Sequence, residues 1–160
     1  MPPVISIVGK SESGKTTLIE KIIPELKKRG YKIGTIKHAY HGFDIDKKGK
    51  DSWRHKKAGA DMTLVASPGK IALIKDENSE SLAHLEKYFD DMDLIIVEGY
   101  KKESKPKIEV FRSTRHKKPL CQGDNNLIAF VTDTDIDLKV PRFGLEDIEK
   151  LADLIEKKYL

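Results

Sequence analysis

Residues Gly9-Lys10-Ser11-Glu12-Ser13-Gly14-Lys15-Thr16 satisfy G-x-x-x-x-G-K-[ST] at every fixed position. The chemistry this spacing serves is anion binding. Gly9 and Gly14 let the backbone turn tightly and approach a phosphate with no Cβ in the way. Successive N–H groups then point inward, and the start of the following helix adds partial positive charge. Ser11 and Ser13 lie within the loop. Lys15 can reach β- and γ-phosphate oxygens, the Thr16 hydroxyl is placed to ligate Mg²⁺, and Thr17 falls near the α-phosphate.

A triphosphate site of this kind needs a second acid to order the metal, at the C-terminal end of a buried strand beside the loop. Glu98 closes the apolar run Leu94-Ile95-Ile96-Val97 and is followed by Gly99, so it is the candidate metal-linked or water-orienting carboxylate. Asp93 opens the same run and falls at the opposite edge of a sheet. Asp44 and Asp46 are further acids in a long loop, and their spacing lets only one face a metal in an extended segment. Lys37 and His38 end a strand and can touch a phosphate or a substrate anion. His38, His41 and His55 follow no compact zinc spacing, and Cys121 stands alone, which argues against zinc. Val131-Thr132-Asp133-Thr134-Asp135 lies where guanine-reading loops carry [NT]-K-x-D. Thr132 and Asp135 match, while Asp133 replaces the lysine. Asp135 is either an acceptor for guanine or a turn acid.

These residues need strands and helices to hold them. Val4–Val8 is an apolar, β-branched run, and Leu18, Ile19, Ile22, Ile23 and Leu26 recur at helical spacing, so the loop joins a buried strand to a helix over about Lys15–Arg29. Gly30 caps that helix, and Pro24 should bend it or split it in two. Lys32–Lys37 reads as a second strand and His38–Asp51 as a polar loop. Asp51-Ser52 can cap a short helix to Ala58 that buries Trp53 and Ala58. Met62–Ala66 and Lys70–Ile74, joined by Ser67-Pro68-Gly69, predict a hairpin attached to the main sheet, whose open edge suits a dimer. Ser79–Phe89 predicts a helix and Asp93–Gly99 a central strand. Lys107–Arg112 alternates polar and apolar, as a more exposed strand would, and Ser113–Asn126 is a basic irregular loop. Leu127–Thr132 is a buried strand, and an amphipathic helix begins near Leu145. The sum is a single-domain α/β protein: a three-layer P-loop fold with a mainly parallel sheet and an added β-hairpin.

Bulk properties agree. The chain has 160 residues, enough for a continuous core. Its formal net charge of +4 comes from 30 basic and 26 acidic residues, an excess too small to name nucleic acid as a partner. One cysteine permits no internal disulfide, and no apolar run approaches the roughly 20 residues of a membrane span. With no signal pattern at the N-terminus, a cytoplasmic location is expected.

With these residues in place, the chain resembles the molybdopterin-guanine dinucleotide biosynthesis protein B family. The resemblance rests on more than the phosphate loop. It includes Ile36-Lys37-His38, Phe43-Asp44-Ile45-Asp46, the run Gly49–His55 and Ala58-Gly59-Ala60. It extends to Val97-Glu98-Gly99-Tyr100-Lys101 and Pro106–Val110. Tyr40 and Lys48 depart from the family's usual histidine and proline. The resemblance implies a GTP-binding protein with slow, Mg²⁺-dependent hydrolysis, usually a homodimer. It also implies an adaptor role when molybdopterin receives its guanine nucleotide, beside the molybdopterin-GMP transferase and the molybdenum-insertion protein. Carried over by position, Gly9, Ser13, Gly14, Lys15, Thr16 and Thr17 hold phosphates and Mg²⁺. Glu98 acts on metal or water, with Asp46 as its helper. A small-molecule kinase and a non-catalytic, nucleotide-ordered scaffold are the competing readings.

Overall fold

The computed structural model describes residues 1–160, which form two compact units. The first comprises residues 1–38 and 85–160 and holds a six-stranded, all-parallel sheet. Its strands are β1 (Val4–Val8), β2 (Ile33–Lys37), β5 (Leu94–Glu98), β6 (Lys107–Phe111), β7 (Leu127–Thr132) and β8 (Arg142–Phe143), in the spatial order β2-β5-β1-β6-β7-β8. β1, entirely buried, is central, with Ile7 opposite Glu98 on one side and Ile108 on the other.

Side chains alternate across this sheet as a two-residue period requires. Ile5, Ile7, Leu94, Ile96, Ile108, Val110, Ala129 and Val131 form one core with α1 (Lys15–Lys28) and α4 (Ile148–Tyr159). Leu18, Ile22 and Leu26 supply the buried stripe of α1, and Leu151, Ala152 and Ile155 that of α4. Each such aliphatic side chain contributes roughly 1.5–3 kcal/mol on full burial. On the opposite face, Val8, Cys121 and Leu127 cluster with Leu120, Leu138 and Val140 from irregular segments.

The chain leaves β1 through α1 toward β2, then passes from β5 across β1 to β6 and on to β7. The strand order therefore reverses between β1 and β6, and ligands of open α/β sheets gather outside the carboxyl ends at such a reversal. The phosphate loop leaves β1 at that end.

The second unit, residues 39–84, holds the hairpin β3 (Met62–Ser67) and β4 (Lys70–Lys75), and α2 (Asp51–Lys57). Met62 pairs with Lys75, Leu64 with Leu73 and Ala66 with Ile71.

Several elements differ from expectation. Helix α1 is continuous through Pro24 and is not split. Proline removes one donor, but the buried stripe at Leu18, Ile22 and Leu26 holds both halves to the sheet. The hairpin is a separate two-stranded sheet and adds no strand to the parallel one. Ala58 is exposed, and α2 has no fully buried residue and no side-chain cap. The helix expected over 79–89 shortens to α3 (Leu82–Leu85) and a 3₁₀ turn, Glu86–Phe89. The last helix starts at Ile148, because Leu145 and Glu146 form a turn closed by reciprocal hydrogen bonds between Gly144 and Asp147. β6, expected to be the more exposed strand, is buried at every position between β1 and β7.

Candidate functional site

Two glycines shape the loop at the carboxyl end of β1. Gly9 has φ +150°, and a Cβ there would lie 2.5 Å from both Ser13 Oγ and the Val110 carbonyl oxygen. Gly14, at φ +100°, is the N-cap of α1, a left-handed conformation that favours glycine. The turn is held by the Ser13 amide, which donates to the Lys10 carbonyl at 3.3 Å, and Ser13 itself is fully buried. Two side chains from the segment after β6 brace the tip. His116 Nε2 donates to the Ser11 carbonyl at 2.7 Å, and Arg115 Nη1 lies 3.3 Å from Glu12 Oε2.

Lys15 folds back over this loop. Its ammonium donates to the Gly9 carbonyl at 3.2 Å and the Lys10 carbonyl at 2.8 Å. Burial pushes its pKa below the usual lysine range, Glu98 works in the opposite sense, and Lys37 and Lys101 add to the lowering. An ammonium that is partly desolvated, with two like charges near it, is primed to trade carbonyl partners for an anion.

Thr16 and Glu98 meet. The Thr16 hydroxyl donates to Glu98 Oε1 at 3.0 Å, although the residues are far apart in sequence. The pairing of β1 with β5 brings Glu98 opposite Ile7, near the root of the loop. Lys37, opposite Glu98 on β2, places Nζ 3.8 Å from Glu98 Oε2. Beyond Glu98 the chain turns sharply at Gly99 (φ +111°), where a Cβ would meet His38 Cβ at 3.1 Å. The His38 amide donates to the Glu98 carbonyl at 3.1 Å, and its ring stacks on Tyr100 with centroids 4.5 Å apart. A hydroxyl and a carboxylate 3.0 Å apart are the oxygen donors a hard divalent cation takes, so these residues fit Mg²⁺. The Thr17 side chain is exposed on the next position of α1.

The other expected acids have partners of their own. Asp46 belongs to the second unit, where Oδ1 accepts from the Lys47 amide at 2.8 Å and the Ser52 hydroxyl at 3.1 Å. Asp135 is exposed and lies 3.5 Å from Arg142 Nη1. Asp133 accepts from the Ser113 amide at 2.9 Å and so joins the ends of β6 and β7. Asp93, at the other end of β5, accepts from the Lys32 amide at 2.7 Å, as expected of a strand-end acid.

One further residue joins the site directly. Arg112 follows β6, and its guanidinium packs against Gly14. Its signal was position, one residue past a strand end. Its importance depends on β6 lying beside β1, a non-local pairing that no spacing reveals.

Comparison with known proteins gives a consistent picture. The family model for molybdopterin guanine dinucleotide synthesis protein B matches residues 4–133. The molybdopterin-guanine dinucleotide biosynthesis adapter protein of Escherichia coli (strain K12) is 40% identical over 161 residues, covering 97% of this chain and 92% of that protein. Its namesake in Haemophilus influenzae is 39% identical over 157 residues, covering 96% and 88%. A crystal structure of molybdopterin-guanine biosynthesis protein B superposes with a TM-score of 0.78 at 31% identity, covering 96% of this chain and 97% of that one.

Proposed function

The chain belongs to the molybdopterin guanine dinucleotide synthesis protein B family, and from that premise we propose that it is a GTP-binding adaptor of molybdenum cofactor assembly that hydrolyses its nucleotide slowly. The observation that carries this reading is the 3.0 Å hydrogen bond from Thr16 to Glu98, beside Lys15, at the mouth of β1. It joins the phosphate-loop hydroxyl to the strand-end acid that magnesium-assisted phosphoryl chemistry needs.

In this reading the amides of Gly9, Ser11, Ser13, Gly14 and Thr17 cradle the phosphates, and Lys15 leaves its carbonyls for the β- and γ-phosphate oxygens. Thr16 and Glu98 would hold Mg²⁺, which offsets charge on the phosphates when bound. Glu98 also accepts a hydrogen bond from the attacking water. Lys37 and His38 face the anion, while Asp135 accepts from the guanine base. Turnover is slow, on the order of 10⁻⁴–10⁻² per second, as in phosphate-loop GTPases unaided by a partner.

The word adapter in the relatives' names supports protein partners. In keeping with the family resemblance, these are the molybdopterin-GMP transferase and the molybdenum-insertion protein. A homodimer and a cytoplasmic location complete the proposal. No helix is long and apolar enough to cross a membrane.

Phosphate release from GTP and from ATP, with and without Mg²⁺ and with no added acceptor, tests the reading. Slow Mg²⁺-dependent release that favours GTP is expected. Release that requires an acceptor molecule would instead identify a kinase. Nucleotide binding with no release would identify a scaffold.

A further inference from the structure

Arg112 is a cation without an anion. Its guanidinium lies against Gly14: a Cβ built there would sit 3.3 Å from Nε, 3.4 Å from Nη2 and 3.6 Å from Cζ. The two nitrogens lie nearer than Cζ, so the Nε–Nη2 edge of the guanidinium leans on the N-cap residue of α1. Nε is buried and has no acceptor. No carboxylate lies within 4.0 Å of the group, although Arg29, Arg54, Arg115 and Arg142 all have one. The place is also electrostatically wrong for a resting arginine. The N-terminus of a helix carries partial positive charge, and cations are disfavoured there. Burying an unsatisfied charged donor costs more than leaving it in water. An arrangement that is costly in the free protein and exact in its packing points to a ligand that completes it.

The ligand's chemistry follows from the neighbours. Arg112 shares a small cleft with Gly14, Thr17, Leu18, Lys21, Val110, Val131 and Leu145. Thr17 follows the Thr16 that would hold Mg²⁺, at the position expected beside the α-phosphate. On the nucleotide-binding reading above, from which this inference follows, we propose that Arg112 is a ligand of the nucleotide's α-phosphate. One Nη N–H takes a non-bridging oxygen there, while the Nε–Nη2 edge stays on Gly14. A side chain at position 14 would strain the backbone at φ +100° and press on the guanidinium.

An α-phosphate ligand has a signature that neither a γ-phosphate clamp nor a packing residue shares. It acts equally on triphosphate and diphosphate, and its removal relieves the free protein. The test is calorimetric affinity for GTP and GDP in Mg²⁺, with melting temperature of the nucleotide-free protein, for wild type, Arg112→Gln and Arg112→Lys. Arg112→Gln should weaken GTP and GDP by the same factor, about 10- to 100-fold. Arg112→Lys should fall between, since it keeps the charge and loses the planar fork. The melting temperature of either nucleotide-free variant should equal or exceed that of wild type. Unchanged affinity in both variants would overturn the inference while leaving nucleotide binding intact. So would a loss confined to GTP, or a lowered melting temperature in both nucleotide-free variants. Absence of uptake by wild type would remove the nucleotide reading and this inference together.

Discussion

In the proposed mechanism Lys15 and Glu98 carry separable parts of the chemistry, and substitutions should separate them. Lys15 holds two loop carbonyls, and in the proposed mechanism it trades them for phosphate oxygens. Lys15→Ala should therefore weaken GTP binding about 100-fold, the upper range for hydrogen bonds to a charged group, as read by calorimetry. Glu98 touches the site through Thr16 and Lys37. Glu98→Gln preserves the shape and an acceptor for Thr16 but loses the charge. GTP should still bind, while phosphate release falls about 100-fold, the scale of a lost general base or water-orienting group. A variant that released phosphate at the wild-type rate would remove Glu98 from the chemistry. The pair was legible in the sequence because each residue sits in a strongly patterned context: a full phosphate-loop motif, and an acid closing the chain's most continuous apolar run. Asp135 was less legible. Its match was partial, and the structure gives it an exposed ion pair with Arg142.

β6 is the element whose sequence misled. Lys-Ile-Glu-Val-Phe alternates as a half-exposed strand does, yet every residue is buried. The alternation instead separates two kinds of interior. Ile108 and Val110 face the helices, while Lys107 and Glu109 enter the opposite face and find polar partners there. Glu109 accepts from the Leu120 and Cys121 amides at 2.5 and 2.8 Å, and Lys107 Nζ lies 2.6 Å from Asp124. Burial, with Glu109 nearby, pushes the Cys121 thiol up to about 12, so it is an inert core group. Periodicity cannot distinguish water from a buried partner on the polar side of a strand, because the partners come from distant sequence. The segment 112–126 is thus anchored at one end by Glu109 and Lys107, while His116 and Arg115 brace the phosphate loop. Removing Asp124 leaves a buried ammonium uncompensated. Asp124→Ala should destabilise the protein by about 3 kcal/mol in denaturant unfolding. The Lys107 ammonium holds the Asp124 carboxyl below its usual range. Its contribution is complete above the unfolded carboxylate value of about 3.9 and is lost as pH falls through the lower folded value. The stability gap between wild type and Asp124→Asn should accordingly be constant near neutral pH and close in acid. A gap unchanged down to pH 2 would contradict the pairing.

At the scale of the whole molecule, the second unit offers a surface that the first does not. Met62, Leu64, Ile71 and Leu73 are all substantially exposed, and the register of β3 with β4 puts them on one face of the hairpin. Clustered apolar exposure of this kind marks an interaction surface, and a hairpin with open edges suits a second copy. Wild type should sediment as a dimer and the double variant Leu64→Lys/Leu73→Lys as a monomer, and both should bind GTP alike if each chain carries its own phosphate site. The hairpin itself was plain from its Ser-Pro-Gly turn, whereas its independence from the parallel sheet was not, since strand patterns do not say which edge a strand joins. All of this serves a claim that one titration tests most directly. GTP should be added to the full-length protein in a calorimeter, with and without Mg²⁺, beside Lys15→Ala. The account predicts one nucleotide per chain, uptake strengthened by Mg²⁺, and loss of that uptake in the variant. Equal heats for wild type and Lys15→Ala, or no Mg²⁺-assisted uptake by wild type, would contradict it.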